Sequence, residues 1–277
     1  MKISLLTDAP KHNLALMKLS AWHKAQGDTV SLNMPVFPAD YTYASVLFEK
    51  NTKAFIADEY GGPAFNGSIL TIPDDTKPDY ELYPQNDYSL GYTFRPCFRG
   101  CSFCKVKDMK CPDNYHHSIW EFHNPKFTKI CILNNNTFMD LQWRDTFEEI
   151  WDAGLTVIDE NGYDLRLLND EKAEALKRTK FEGKIHFAWD RMCDEKEIVS
   201  GLKTLRKYKM TGHIYVLCGY DTTAEEDIHR CQVLIDHKQD PYIMPFTEKV
   251  RPFKRFIDTF MWRKYKTITE AWKDYTG

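Results

Sequence analysis

Three cysteines, Cys97, Cys101 and Cys104, stand at spacing C-x3-C-x2-C in one short run, Arg-Pro-Cys-Phe-Arg-Gly-Cys-Ser-Phe-Cys. A run this tight can bring three thiolates onto one face of a metal centre, and thiolates suit zinc or an iron–sulfur cluster. Three cysteines are one ligand short of a closed four-ligand site. A structural zinc would need Cys111, His116 or His117 as its fourth ligand. A [4Fe-4S] cluster would hold three irons through the cysteines and leave one iron open to another molecule. The other five cysteines (Cys111, Cys131, Cys193, Cys218, Cys231) form no C-x2-C pair, and we read them mainly as small buried side chains.

The run resembles the signature of the radical S-adenosylmethionine (SAM) superfamily, CxxxCxxC with an aromatic just before the last cysteine, a place filled here by Phe103. The resemblance covers about residues 85–250. It implies a [4Fe-4S] cluster on Cys97, Cys101 and Cys104 with S-adenosyl-L-methionine at the open iron. The implied enzyme is oxygen-sensitive. It would cleave SAM reductively to a 5′-deoxyadenosyl radical and take hydrogen from a substrate that is a small molecule, a peptide or a nucleic acid. A one-electron reductant such as flavodoxin or ferredoxin is implied with it. By the same resemblance, the Phe103 backbone would lie along the adenine. Asn134, Asn135 and Asn136 stand where the family holds the methionine amino group, although its usual Gly-Gly-Glu-like run is absent. Gly219 and Tyr220 occupy the place of the family's adenine-side motif on the fifth strand. Two assignments come from side-chain chemistry. The planar fork of Arg166 suits the SAM carboxylate, against an internal ion pair. Asp190 can accept from the ribose hydroxyls, against capping of the following helix.

The surrounding pattern must position these residues. Strands are predicted at 88–95, 128–134, 155–159, 184–189, 212–218 and 241–245, and helices at 118–123, 141–153, 169–178, 194–208, 224–237 and 252–264. Such alternation predicts parallel βα units with right-handed crossovers. The chain is too short for eight, so the expected fold is a partial (β/α)6 barrel with its chemistry at the C-terminal strand ends. Asn134–Asn136, Asp159, Asp190 and Gly219 all fall at such ends.

Ahead of the barrel, strands at 2–7, 29–32, 43–48 and 54–57 and a helix at 12–25 predict a small, open, Rossmann-like α/β layer. The helix presents Leu14, Leu16, Met17, Leu19 and Trp22 near helical period and stops at Gly27. This layer resembles a shortened cobalamin-binding domain. The family's Asp-x-His-x-x-Gly motif is missing, because Asp8 is followed by Ala9, Pro10, Lys11 and His12 with no glycine in place. Cobalamin is therefore not expected, and a vestigial lid or docking layer is. The domain reading is 1–84 for this layer, 85–250 for the barrel and 251–277 for a helical extension. In that extension, Phe253, Phe256, Ile257, Phe260 and Met261 keep helical spacing among basic residues. A buried face is preferred there to a nucleic-acid surface.

The bounds are broad. In 277 residues with net charge −3, no apolar run reaches the ~18 residues of a membrane span. The N-terminus lacks a signal-peptide core, so a cytoplasmic enzyme without a membrane partner is expected. Two alternatives stand beside it: a cobalamin-dependent radical SAM methylase, and a non-catalytic zinc or nucleic-acid-binding module.

Overall fold

A computed structural model describes residues 1–34, 38–65, 68, 70–72, 75–109 and 114–275. Cys111 lies outside these residues. Compactness divides the chain into two units, Met1–Asn135 and Asn136–Gly277, each with its own core.

The first unit opens with β1 (Lys2–Thr7), α1 (Leu14–Ala25), β2 (Thr29–Leu32), β3 (Tyr41–Ser45) and β4 (Glu59–Gly61). All four strands are parallel, in the order β2-β1-β3-β4. The order reverses beside β1, because β2 lies on one side of it and β3 on the other. Asn13 caps α1, its side-chain oxygen accepting from the Leu16 amide. Leu16 and Leu19 pack on Ile3, Leu5 and Tyr43, which is the expected apolar face of the helix. Trp22 departs from that face and is partly exposed. The predicted strand at 54–57 is instead the exit from a 3-10 turn, Glu49–Ala54. Later in this unit β5 (Ser89–Gly91) pairs in parallel with β6 (Lys129–Ile132). Between them, the predicted helix at 118–123 is a single 3-10 turn, Ile119–Glu121, closed by a Ser118–Glu121 capping box.

The second unit continues the alternation with α2 (Trp143–Asp152), β7 (Thr156–Ile158), α3 (Asp170–Arg178), β8 (Lys180–Glu182), β9 (Ile185–Ala188), α4 (Glu195–Lys207), β10 (Gly212–Cys218), α5 (Ala224–Asp236), β11 (Asp240–Pro245), α6 (Arg251–Asp258) and α7 (Ile268–Asp274). β7 pairs in parallel with β8, and β9, β10 and β11 form a parallel ladder with β10 central. On β10, Ile214, Val216 and Cys218 are buried while His213, Tyr215 and Leu217 are partly exposed, the two-residue period of a strand with one face on the core. That core takes in Ile198, Leu202 and Leu205 of α4 and Cys231 and Leu234 of α5. Phe253, Phe256 and Ile257 of α6 and Ile268 and Ala271 of α7 join it, so that part of the expected apolar face of the tail is buried, whereas Phe260 and Met261, expected on the same face, are exposed. The predicted helix at 252–264 ends at Asp258, and Phe260 then turns the chain with a φ of +54°.

Candidate active site

The cysteine run leaves the end of β5 and is pinned by the end of β6. Asn134 is buried, and its Oδ1 accepts from the amides of Thr93 and Phe94, both at 2.9 Å, while its Nδ2 donates to Thr93 Oγ1 at 2.8 Å. Asn135 Nδ2 donates to the Arg95 carbonyl. These two asparagines therefore fix residues 93–95, immediately before Pro96 and Cys97. Their side-chain amides hold the loop that carries the three cysteines.

Within the loop Gly100 has a φ of +60°, a conformation in which a glycine carries no steric cost. The Cys104 amide donates to the Cys101 carbonyl, closing a turn between the last two cysteines. Cys97, Cys101 and Cys104 are partly exposed and in no disulfide. Lys107 Nζ donates to the Ser102 carbonyl, and Lys105 pairs with Glu49 across two exposed side chains. A cavity of about 420 Å³ opens beside Cys97, lined by Pro96, Phe98, Val106, Lys107, Met109 and Asn114. Among the described residues, no three His, Cys, Asp or Glu side chains are gathered as a ready metal site. The donor set fits an iron–sulfur cluster by chemistry: three partly exposed thiols, none in a disulfide, on one short loop. His117, weighed above as a zinc ligand, pairs through Nδ1 with Glu121. Phe103 is partly exposed between the second and third cysteines.

The residues assigned to SAM in the second unit have their own partners. Asn136 donates from Nδ2 to Asp164 Oδ2, and its buried Oδ1 has no hydrogen-bond partner. An orphaned acceptor of this kind calls for a donor. Arg166 gives Nε and Nη2 to Asp164 and Nη1 to Asp194, at 2.8, 3.1 and 2.8 Å. Burial works against this guanidinium's charge, and the two carboxylates more than offset it, so its pKa is raised. The fork proposed for the SAM carboxylate is thus engaged with Asp164. The Asp190 carboxyl, just past β9, is pushed up to about 6 by burial, against the pull of Arg166, Arg230 and the Leu217 amide. The cap of α4 makes no side-chain hydrogen bond from Asp194, and Asp190 lies too early in the chain to supply it. Gly219 follows β10 with a φ of +76°, and a Cβ there would meet Val250 Cγ2 at 2.6 Å. Tyr220 packs edge-on against Phe246.

Arg230 was not legible in the sequence. It sits on the buried face of α5 with no exposure, donates to the carbonyls of Trp189 and Leu217, and pairs with Asp227. It ties together the ends of β9 and β10, next to Asp190 and Gly219. Helical period marks position 230 as buried, but an arginine there gives no local sign of which carbonyls it will reach.

Comparison with known proteins gives a fold and no family. No family model matches the chain, and no curated protein matches it. Among solved structures it is similar to one described as a radical S-adenosylmethionine methyltransferase, TsrM, from Kitasatospora setae with cobalamin and a [4Fe-4S] cluster bound. The TM-score is 0.64 at 9% identity, over 88% of this chain and 74% of that one. At that identity the likeness is one of fold.

Proposed function

We propose that this protein is a radical SAM enzyme. The observation that carries the proposal is the placement of Cys97, Cys101 and Cys104 on the loop that leaves the first strand of the β5–β6 pair, in a chain with the fold of a radical SAM methyltransferase. On this reading residues 85–250 are the catalytic part, 1–84 a covering layer and 251–277 a helical extension. Cys97, Cys101 and Cys104 would hold a [4Fe-4S] cluster, which together with SAM supplies one-electron cleavage to methionine and a 5′-deoxyadenosyl radical. Asn134 and Asn135 fix the ligand loop. Asn136 offers its unpaired Oδ1 to the amino group of SAM, and Asp190 offers a carboxyl to the ribose. Phe103, Gly219 and Tyr220 lie along the adenine. Arg166 orients Asp164 and, through it, the Asn136 amide. It acts as a positioning residue. A soluble one-electron donor of the flavodoxin or ferredoxin class completes the reaction, and a cytoplasmic setting goes with it. Among the described residues no helix is long and apolar enough to cross a membrane.

The test is anaerobic reconstitution with iron and sulfide, followed by assay of iron, sulfide and 5′-deoxyadenosine. Near-equal iron and sulfide with SAM cleavage supports the enzyme. Each of Cys97→Ala, Cys101→Ala and Cys104→Ala should lose cluster iron. Zinc in place of iron, or single variants that keep full iron and cleave SAM, would reject it.

A second reading, a cobalamin-dependent methylase, is favoured by one observation: the parallel order β2-β1-β3-β4 has its reversal between β2 and β3 at β1, and such switch points bind cofactors at the C-terminal strand ends. The expectation that cobalamin is absent rested on a missing motif, and the likeness to a cobalamin-bound structure removes much of its weight. The residues at this edge fit in part. Met34, Leu47 and Phe48 expose apolar surface there. Against this, Asp8 spans the crevice to the Leu47 and Phe48 amides and Asn51, and Asn13 spans it to Ser45. His12 is held by Tyr88. Expression with cobalamin supplied and a visible spectrum of the purified chain separates the readings. A stoichiometric corrinoid band would establish binding.

A further inference from the structure

The open face of the β9–β10–β11 ladder carries groups that the cofactor reading leaves unused. Register places His186, His213 and Asp240 in one row across the three strands, and Ala188, Tyr215 and Tyr242 in the next. Phe187, Ile214 and Ile243 are buried on the opposite face. His186 stacks on Tyr215 with ring planes 3° apart and centroids at 5.2 Å. The Tyr242 ring is taken by the Lys254 ammonium, 4.1 Å from its centroid. Lys184 and Arg263 neutralise Asp240 at the edge of the face.

Ala188 is the one small side chain in these two rows. It remains partly exposed although it lies beside Tyr215 in register and two residues from His186 on the same strand. Alanine is a poor strand former, and larger β-branched residues normally fill such a place. A methyl among these larger side chains implies a step down in the face at Ala188, beside Tyr215 in register and near the His186 ring stacked on it. His186 adds chemistry to it. Its Nδ1 lies 3.0 Å from the Asp159 backbone carbonyl, which can only accept. Nδ1 therefore carries the proton, and in the neutral ring Nε2 keeps a lone pair for an incoming donor. The Asp159 carboxylate, at 3.4 Å from Nδ1, stabilises the imidazolium that forms if Nε2 takes the proton.

We propose that the step at Ala188 binds a planar aromatic ring of the substrate, laid against Tyr215 and His186, with an O–H or N–H on that ring donating to His186 Nε2. The offset rings favour a flat partner over an aliphatic one. No lysine or arginine stands in either row, and the cations around the face are already paired, Lys254 with Asp258 and Lys184 and Arg263 with Asp240, which favours a neutral ring over a carboxylate or phosphate. Only the word substrate rests on the radical SAM reading, because the binding needs no cluster.

The probe is 2-naphthol, a flat ring with one O–H donor, titrated into the full chain and compared with 2-methoxynaphthalene, which lacks the donor. Wild type should bind 2-naphthol at least tenfold more tightly than the ether. Ala188→Leu should weaken both at least tenfold by filling the step, and Ala188→Val serves if the leucine variant does not fold. His186→Phe should keep a stacking ring yet lose the preference for the donor. No saturable binding of 2-naphthol, or binding unchanged in both Ala188 variants, overturns the proposal. Cys97→Ala should bind the probe as wild type does. A chain that binds 2-naphthol but reconstitutes no cluster keeps this site and loses the enzyme reading. A chain that cleaves SAM but ignores 2-naphthol loses this site alone.

Discussion

Residue by residue, what was legible is what depends on neighbours in the chain. The three cysteines are read directly, because their spacing alone limits them to one loop. Arg166 is a different case. The sequence shows a guanidinium near a strand end, and only the fold brings it Asp194, 28 positions away. Cutting it to Arg166→Met should cost roughly 3–5 kcal/mol in denaturant unfolding, because the buried Asp164 carboxylate would lose the ion pair that Arg166 gives it, while Asp194 keeps Arg191. A loss under 1 kcal/mol would mean that these ion pairs are incidental. Asp190 gives a prediction with a pH signature. Its carboxyl titrates near 6 in the folded chain, against 3.8 for an ordinary aspartate in water. A raised carboxyl binds its proton more tightly when folded. Its contribution is therefore most favourable below the unfolded value and is lost as pH rises through 6. At about 1.4 kcal/mol per unit the ceiling is ~3 kcal/mol. Asp190→Asn, which cannot ionise, should then be about 1–3 kcal/mol more stable than wild type at pH 7.5. That advantage should fade toward pH 4. Thermal melts across this range check it, and an advantage that does not change with pH would place the carboxyl in water.

At the scale of elements, the parallel ladder was legible because long apolar or alternating runs such as Gly212–Cys218 have few other uses, and the helices between them show a 3.6 period. The misses are short or non-local. β8 offers only Phe181 as an apolar residue in three, too little for a period. α7 follows a break at Phe260 and gains its place by packing Ile268 and Ala271 into the core. Gly219 shows how an element boundary can be tertiary in origin. The resemblance marked it as a cofactor residue, yet its positive φ and the approach of Val250 already require glycine there. Gly219→Ala should lose roughly 1–2 kcal/mol for the left-handed backbone plus a further amount for the clash. Adding Val250→Ala should restore the clash part and leave the backbone part. If the double variant is no more stable than Gly219→Ala, then the Val250 contact is not what excludes a side chain at 219.

For the whole molecule, the two units place different demands on their sequences. The second has a continuous core running from Phe138 through Ala271 and is held by side chains the sequence marks as apolar. The first has a smaller core around Ile3, Leu5, Leu16, Leu19, Tyr43 and Leu70, and the loop that carries the cysteines also belongs to it. Small cores leave more of a unit's stability to bound groups. A ligand that binds only the folded form stabilises what it binds, by about 2.7 kcal/mol at a hundredfold excess over its dissociation constant, which slows exchange from that state roughly a hundredfold. The thiol loop lacks regular structure, so its amides should open locally rather than with the whole chain. Anaerobic loading with iron and sulfide should therefore slow amide exchange across residues 92–108, and most strongly at Cys104, whose amide already donates to Cys101. The amides of β9–β11 in the second unit should keep their rates. Slowing that zinc alone reproduces, or no slowing in 92–108 at all, would mean that the three cysteines do not hold a cluster.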